Sequence, residues 1–302
     1  RSTPLYQRAQ ADAASPLAQV VQARWRLAER AREQGRIKDE QALLKALQQA
    51  DAQGGAERNT ISRTLAARAT LRLADPLLAA YRQVALTEPL KTTLARKKAR
   101  FDAVQAAYAQ AAAYGTPEAQ AAATVHSAAL YQDFGRAVLQ SQKPRGLKKA
   151  DAESYQVLLE EQAFPFEEKA VELHRANAER TRSGQYDEWV RQSYAALRDL
   201  RPLRWAKREI NPPEGSAAAR LTRDGLAHRE AGRFAAARQA YEQALAADPT
   251  LVAARLDLAI LLDLYLHDPA AALPHYKAVL ATGTVAEMPR WIAELERQLA
   301  RS

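Results

Sequence analysis

The sequence predicts an all-α chain of antiparallel helix pairs stacked side by side, and three observations carry that expectation. Alanine is the commonest residue, so much of the 47% apolar content is small side chains that favour helices and let them approach closely. Only 11 glycines occur in 302 residues, and no stretch keeps a strand's apolar–polar alternation for more than a few positions. The third is a spacing of small and aromatic residues that recurs after 35 positions, Ala237 to Ala272 and Tyr241 to Tyr276.

Punctuation places the elements in order. Ser15-Pro16 supplies a cap and a first-turn proline before a helix over 17–34, which Gly35 ends. A second runs from about Asp39 to Gln53, closed by Gly54-Gly55, and Asp75-Pro76 starts a new helix or kinks one. Thr87-Glu88-Pro89 opens a long helix to Tyr114, with Leu90, Leu94, Phe101, Val104 and Tyr108 along one face. Gly115 stops it, and Thr116-Pro117-Glu118 begins another to about Gln142. Lys143-Pro144-Arg145-Gly146 is the clearest break in the first half. Tyr155, Leu158 and Leu159 then continue a helical stripe, Phe164-Pro165-Phe166 is expected to make a corner, and Asn211-Pro212-Pro213 is the second strong break. Three regions follow: 1–142 with divergent helix pairs, 143–210 with a degenerate repeat unit, and 214–302 with the C-terminal repeats and a closing helix.

From Ala218 to Pro249 each residue type has a packing reason. Gly225 and Ala237 let two backbones approach, Phe234 and Tyr241 fill the space beside them, Ala244 keeps the second helix thin, and Pro249 stops it. The turn between the helices is Ala231-Gly232-Arg233-Phe234. A second copy carries Leu258, Ala259 and Leu262, then Ala272 and Tyr276; Trp291, Leu295 and Leu299 mark a terminal helix over 284–300. Gly184 to Asp187, with Trp189, Ala196 and Leu197, imitates the unit upstream. This spacing resembles the tetratricopeptide repeat (TPR), with Asp224 and His228 as departures. The resemblance implies an α-solenoid superhelix of stacked pairs with a C-terminal capping helix. The 35-residue recurrence exceeds the usual period by one, a surplus expected to be absorbed at Leu266-His267-Asp268-Pro269.

A wider resemblance covers roughly residues 90–300. The run Leu158 to Ala170, the stretch Gly184 to Trp189 and the stretch Leu203 to Glu209 look like envelope-associated TPR proteins of Gram-negative bacteria, found with gliding-motility and TonB/Tol-type complexes. That resemblance implies a scaffold in the periplasm or at the outer membrane, with protein partners in a multiprotein complex. The alternative is a cytoplasmic TPR adaptor or regulator. The chain opens at Arg1 without methionine, and a removed secretory leader or a trimmed chain would read alike.

Chemistry finds no foothold. With no cysteine, disulfides, thiolate nucleophiles and Cys-bound metals are excluded. His126, His174, His228, His267 and His275 show no metal-ligand spacing, and His228 falls at a helix-packing position. Adjacent Glu160-Glu161 and Glu167-Glu168 point in different directions on a helix, near Lys169 and Arg175, which suits solvated faces better than an acid–base pair. No phosphate loop or nucleophile elbow occurs. We therefore expect a non-enzymatic protein with no catalytic residue, metal, cofactor or small-molecule substrate. No apolar run approaches the about 18 residues a membrane helix needs.

The net charge of +9 and pI near 9.7 invite an acidic partner. Basic clusters occur at Lys91, Arg96, Lys97, Lys98 and Arg100, at Lys143, Arg145, Lys148 and Lys149, and at Arg201, Arg204, Lys207 and Arg208. Their aromatics sit at core-like spacing and do not interleave with them, which disfavours nucleic acid and reads the clusters mainly as solvated faces. Trp25, Trp189 and Trp291 read as core wedges; Trp205, among basic residues, is either an exposed contact or a cover for the junction after it. The family resemblance maps a concave partner-binding face onto Thr222, Leu226, Arg229 and Glu230 in one repeat and Leu256, Ile260, Asp263 and Leu264 in the next. Its mixture of apolar and charged groups suits a peptide or partner helix. Equally, part of that face could pack against the chain's own N-terminal helices.

Overall fold

The computed structural model of the chain describes residues 3–11, 15–144, 146 and 148–301. Among these every regular element is helical and no strand occurs. The chain divides into two compact units, Arg1–Leu173 and His174–Ser302. That division falls at neither sequence break, and the Asn211-Pro212-Pro213 stretch lies inside the second unit. Arg145, counted in one basic cluster, is outside the described residues.

The first unit contains α1 (Thr3–Ala11), α2 (Leu17–Glu33), α3 (Ile37–Gln53), α4 (Thr60–Leu73), α5 (Asp75–Arg82), α6 (Leu90–Ala112), α7 (Pro117–Leu139) and most of α8 (Lys149–Ala178). Helices α2, α3 and α4 pack on one another around Leu17, Val21, Trp25, Ala28, Leu44, Leu47, Leu65, Ala66 and Ala69. Asn59 caps α4, its side chain accepting from the Ile61 and Ser62 amides while the Ser62 hydroxyl accepts from the Asn59 amide. A second cluster joins α5, α6 and α7 through Phe101, whose ring meets Tyr81, Tyr131 and Phe134 edge-on.

Two expectations in this unit are corrected. Leu94 is exposed, and the inward position beside it belongs to Lys97, which is buried with its ammonium donating to the Tyr81 and Val84 carbonyls at the end of α5. That is a cation on orphan C-terminal carbonyls, so Lys97 leaves the basic surface. Second, Phe164-Pro165-Phe166 makes no corner: α8 runs through Pro165. A proline inside a helix removes one hydrogen bond and costs about 3 kcal/mol. Packing on α7 opposes that cost, for Phe166 stacks on Phe134 at 4.5 Å and Gly135 gives the α8 backbone room at Ala163.

The second unit begins with the end of α8, followed by α9 (Glu188–Leu200), the short α10 (Pro202–Trp205) and a stretch without regular secondary structure to Gly215. Then come α11 (Ala217–Glu230), α12 (Phe234–Ala247), α13 (Val252–Ile260), α14 (Pro269–Leu280) and α15 (Met288–Leu299). Helix α11 packs on α12, α12 on α13, α13 on α14 and α14 on α15, while α11 also touches α13. Gly225, Phe234, Ala237, Tyr241, Ala244, Ala259, Ala272 and Tyr276 are all buried, and Pro249 lies exposed just past the end of α12. At Gly225 a Cβ would stand 2.4 Å from the Tyr241 ring, so only glycine fits there without the ring moving. The turn Gly232 has φ 74° and sits against the Tyr186 ring.

A π-helical turn, Leu261–Tyr265, ends the first helix of the second pair, with the Leu266 amide donating to the Leu261 carbonyl. Such a turn inserts one extra residue into a helix. The turn ends just before Leu266-His267-Asp268-Pro269, and Asp263 and Leu264 within it are buried.

Candidate functional site

The eight residues expected to line an open face do not line one. Thr222, Leu256, Ile260, Asp263 and Leu264 are buried, Leu226 and Arg229 are half-buried, and Glu230 alone of the eight is exposed. Thr222 turns its hydroxyl to the Ala218 carbonyl of its own helix. The segment 204–213 of the same unit is anchored along part of this face, at Arg223 and Arg229 of α11, Asp257 of α13 and Asp263 of the π turn. Within the second unit, the linker before α11 thus packs on part of this face.

Past α10 the segment has no regular secondary structure; Trp205 and Lys207 are buried, Glu209 is half-buried and Arg208 between them is exposed. Trp205 is buried, its indole edge-on to Tyr194 at 5.6 Å, so the open alternatives for this residue resolve to a covering contact. Arg204 forks onto both oxygens of Asp263 at 2.7 and 2.8 Å, and the Lys207 ammonium reaches Asp263 at 2.5 Å beneath the Tyr276 and Trp291 rings. Glu209 pairs with Arg229 through both its oxygens at 2.6 Å. The Ile210 amide donates to Asp257 Oδ1 at 3.0 Å, and Arg223 reaches the Pro212 carbonyl at 3.5 Å. Three cations and two anions thus pair across the segment and the face against it.

Behind this seam the Tyr194 hydroxyl donates to the Leu264 carbonyl at 2.8 Å and its ring stacks on Tyr265. His174 is buried against Ser193, and burial lowers its pKa to about 4, so it stays neutral. His228 is half-buried and accepts from Arg233 at 2.9 Å. Glu160, Glu161, Glu167 and Glu168 are exposed.

Burial pushes the Lys207 ammonium down to about 8, against the pull of Asp263. Burial also opposes ionisation of Asp263, yet Arg204 and Lys207 on its two oxygens hold its carboxyl below the ordinary range. With two cations on one carboxylate, all three groups are charged at neutral pH. Asp257 is the opposite case. It is fully buried, burial raises its carboxyl to about 8, and the Ile210 amide only partly offsets this. Its Oδ2 has no hydrogen-bond partner, nor has the Tyr241 hydroxyl.

Asp257 makes a stability prediction. Between its ordinary value of 3.8 and about 8 the folded chain keeps a proton that the unfolded chain releases. The unfolded state then binds fewer protons, so stability falls as pH rises through that window. Asp257→Asn keeps an acceptor for Ile210 and removes the titration. Thermal melts from pH 5 to 9 should show wild type losing stability relative to Asp257→Asn by a few kcal/mol. Parallel curves for the two would mean that Asp257 is ionised in the fold throughout.

Sequence reasoning counted Arg204 and Lys207 as a solvated basic face and passed over Glu209 and Asp257. One signal pointed to them: two aspartates, Asp257 and Asp263, in the largely apolar run from Val252 to Tyr265. Open clefts lie in the first unit, one of about 600 Å³ lined by Tyr6, Trp25, Ile61 and Arg68 among others. No family model matches the chain, and no curated protein matches it.

Proposed function

We propose that this chain is a non-enzymatic, protein-binding scaffold of the tetratricopeptide type, its second unit a short stack of helix pairs closed by α15 as a capping helix. One observation carries the reading: the face of α11, α13 and the π turn takes an irregular stretch of chain through the paired charges of Arg204, Lys207 and Glu209 and the Ile210 amide. Charged side chains and a carboxylate that holds a backbone amide are groups that peptide recognition uses. The adjoining small residues at Gly225, Ala237, Ala244 and Ala272 give the close helix approach on which such stacks depend.

The envelope part of the proposal rests on the stretches 158–170, 184–189 and 203–209, which resemble envelope-associated scaffolds of motility and TonB/Tol-linked complexes. Exposure of Val157, Leu158 and Phe164 on α8 supports a role in contacts with other proteins. The test is in-cell photo-crosslinking from exposed Leu203, with Gln239 on the outer face of α12 as control, combined with fractionation of the full gene product. We expect one protein to crosslink reproducibly from Leu203 and not from Gln239, in the envelope fraction. A purely cytosolic pool whose gene encodes no leader would replace the envelope reading with a cytoplasmic adaptor. Absence of any site-dependent crosslink would remove the scaffold reading.

A further inference from the structure

We propose that the exposed faces of α6 and α8 bind each other between copies of this chain, so that the protein self-associates head to tail. This goes beyond the scaffold reading, whose test at Leu203 involves neither helix.

The two faces are opposite in charge and complementary in shape. Helix α8 carries seven carboxylates against three cations, in a chain whose net charge is +9. On its outer side Val157, Glu160, Glu161 and Phe164 are all exposed, Phe164 with 59% of its surface open. They stand three, four and seven residues after the first of them. Four residues at that spacing surround one hollow on a helix, and such a hollow seats a side chain of a second helix. Here the hollow has apolar ends and carboxylate sides. Gln156 donates to Glu160 Oε1 at 3.1 Å and holds that carboxylate at the rim.

Helix α6 presents the counterpart. Its inner side is taken by Phe101, Val104 and the buried Lys97, while Lys91, Leu94 and Lys98 are exposed, Leu94 at 40%. A leucine with one lysine three residues before it and another four after it is a knob between two cations. With Leu94 seated between Val157 and Phe164, the two lysines lie about one turn to either side, at the levels of those apolar side chains. Their stems cover Val157 and Phe164, and their ammonium groups reach Glu160 and Glu161. The chain itself supplies this complement, which assigns the α8 face to a second copy in preference to a foreign protein.

Knob and hollow are different surfaces, so one copy can use both at once, and the assembly is a ring or an open chain. A single helix pair is small beside the about 1,200–2,000 Å² of a stable interface, so the association is weak and reversible.

The test is sedimentation velocity of the full chain over a range of concentrations. Wild type should sediment faster as concentration rises, and less so at about 1 M salt, where charges are screened within about 3 Å. Reversing either face, with Glu160→Lys/Glu161→Lys or with Lys91→Glu/Lys98→Glu, sets like charges together and should weaken association at least about tenfold. Mixing the two variants should restore it, because each then meets its opposite charge on the other. A wild type that stays monomeric throughout overturns the proposal. So does association that both reversals leave unchanged, or that mixing fails to restore. All four positions are exposed, and circular dichroism reports whether the variants fold. Should one not fold, Leu94→Ala decides: it must weaken association while the melting temperature holds. Photo-crosslinking from position 164 in cells tests the occupant itself. A product of twice the chain's mass supports the proposal, whereas a conjugate with a different protein overturns it and leaves the scaffold reading in place.

Discussion

Ala237→Arg, or Ala244→Arg, should destabilise the second unit by about 3 kcal/mol or more, whereas Gln239→Arg on the same helix should stay within about 0.5 kcal/mol of wild type. Both alanines have no exposed surface, and Gln239 is exposed. An arginine between packed helices brings extra volume and an unpaired charge, and these costs act together. A domain of this size has a total stability of only about 5–15 kcal/mol, so the loss is a large share. Urea melts followed by helical circular dichroism would measure it. Equal midpoints for the two classes of variant would mean that the small residues of α12 do not face other helices.

The second large effect belongs to Asp263→Ala. It strands Lys207, whose side chain is 1% exposed, and removes the partner of Arg204, which at 18% can turn towards water. Breaking a buried ion pair from one side costs about 3–5 kcal/mol, because the remaining charge is left without compensation. Adding Lys207→Met to Asp263→Ala should recover most of the loss, since the penalty lies in the stranded ammonium. The single variant should also regain stability as pH rises, because Lys207, already lowered in the fold, then gives up its proton in both states. If the double variant is as unstable as the single one, Asp263 acts through the π turn and not through its charge.

The helices were legible because their signals are local. Ser15-Pro16, Thr116-Pro117 and Gly35 act within a few residues of themselves, and the corresponding ends fall within a residue or two of expectation at α2 and α7. Pro165 was misread because its local preference to break a helix is overridden by Phe134 and Gly135, some thirty positions earlier in the chain. Of the candidate site, the polar and apolar character of the face was visible and its state was not. Arg229 and Asp263 belong to the face, yet what pairs with them is an irregular stretch whose partners are 20 to 59 residues distant. Charged side chains carry no mark in the sequence of whether water or an opposite charge will surround them.

The π turn at Leu261–Tyr265 has a consequence for how such an array can change over time. In a helix each residue adds about 100° of rotation, so loss of the surplus residue would regularise the backbone and yet swing everything after it round the axis by that angle. Asp263 lies within that register and Tyr276 hydrogen-bonds to it from the following helix. A single-codon deletion there would shorten the protein negligibly and misalign the acid with both of its cations. Length variation in this chain is therefore tolerable in turns such as Asp248 to Leu251, and severely constrained in the five residues where the helix is already wound wide.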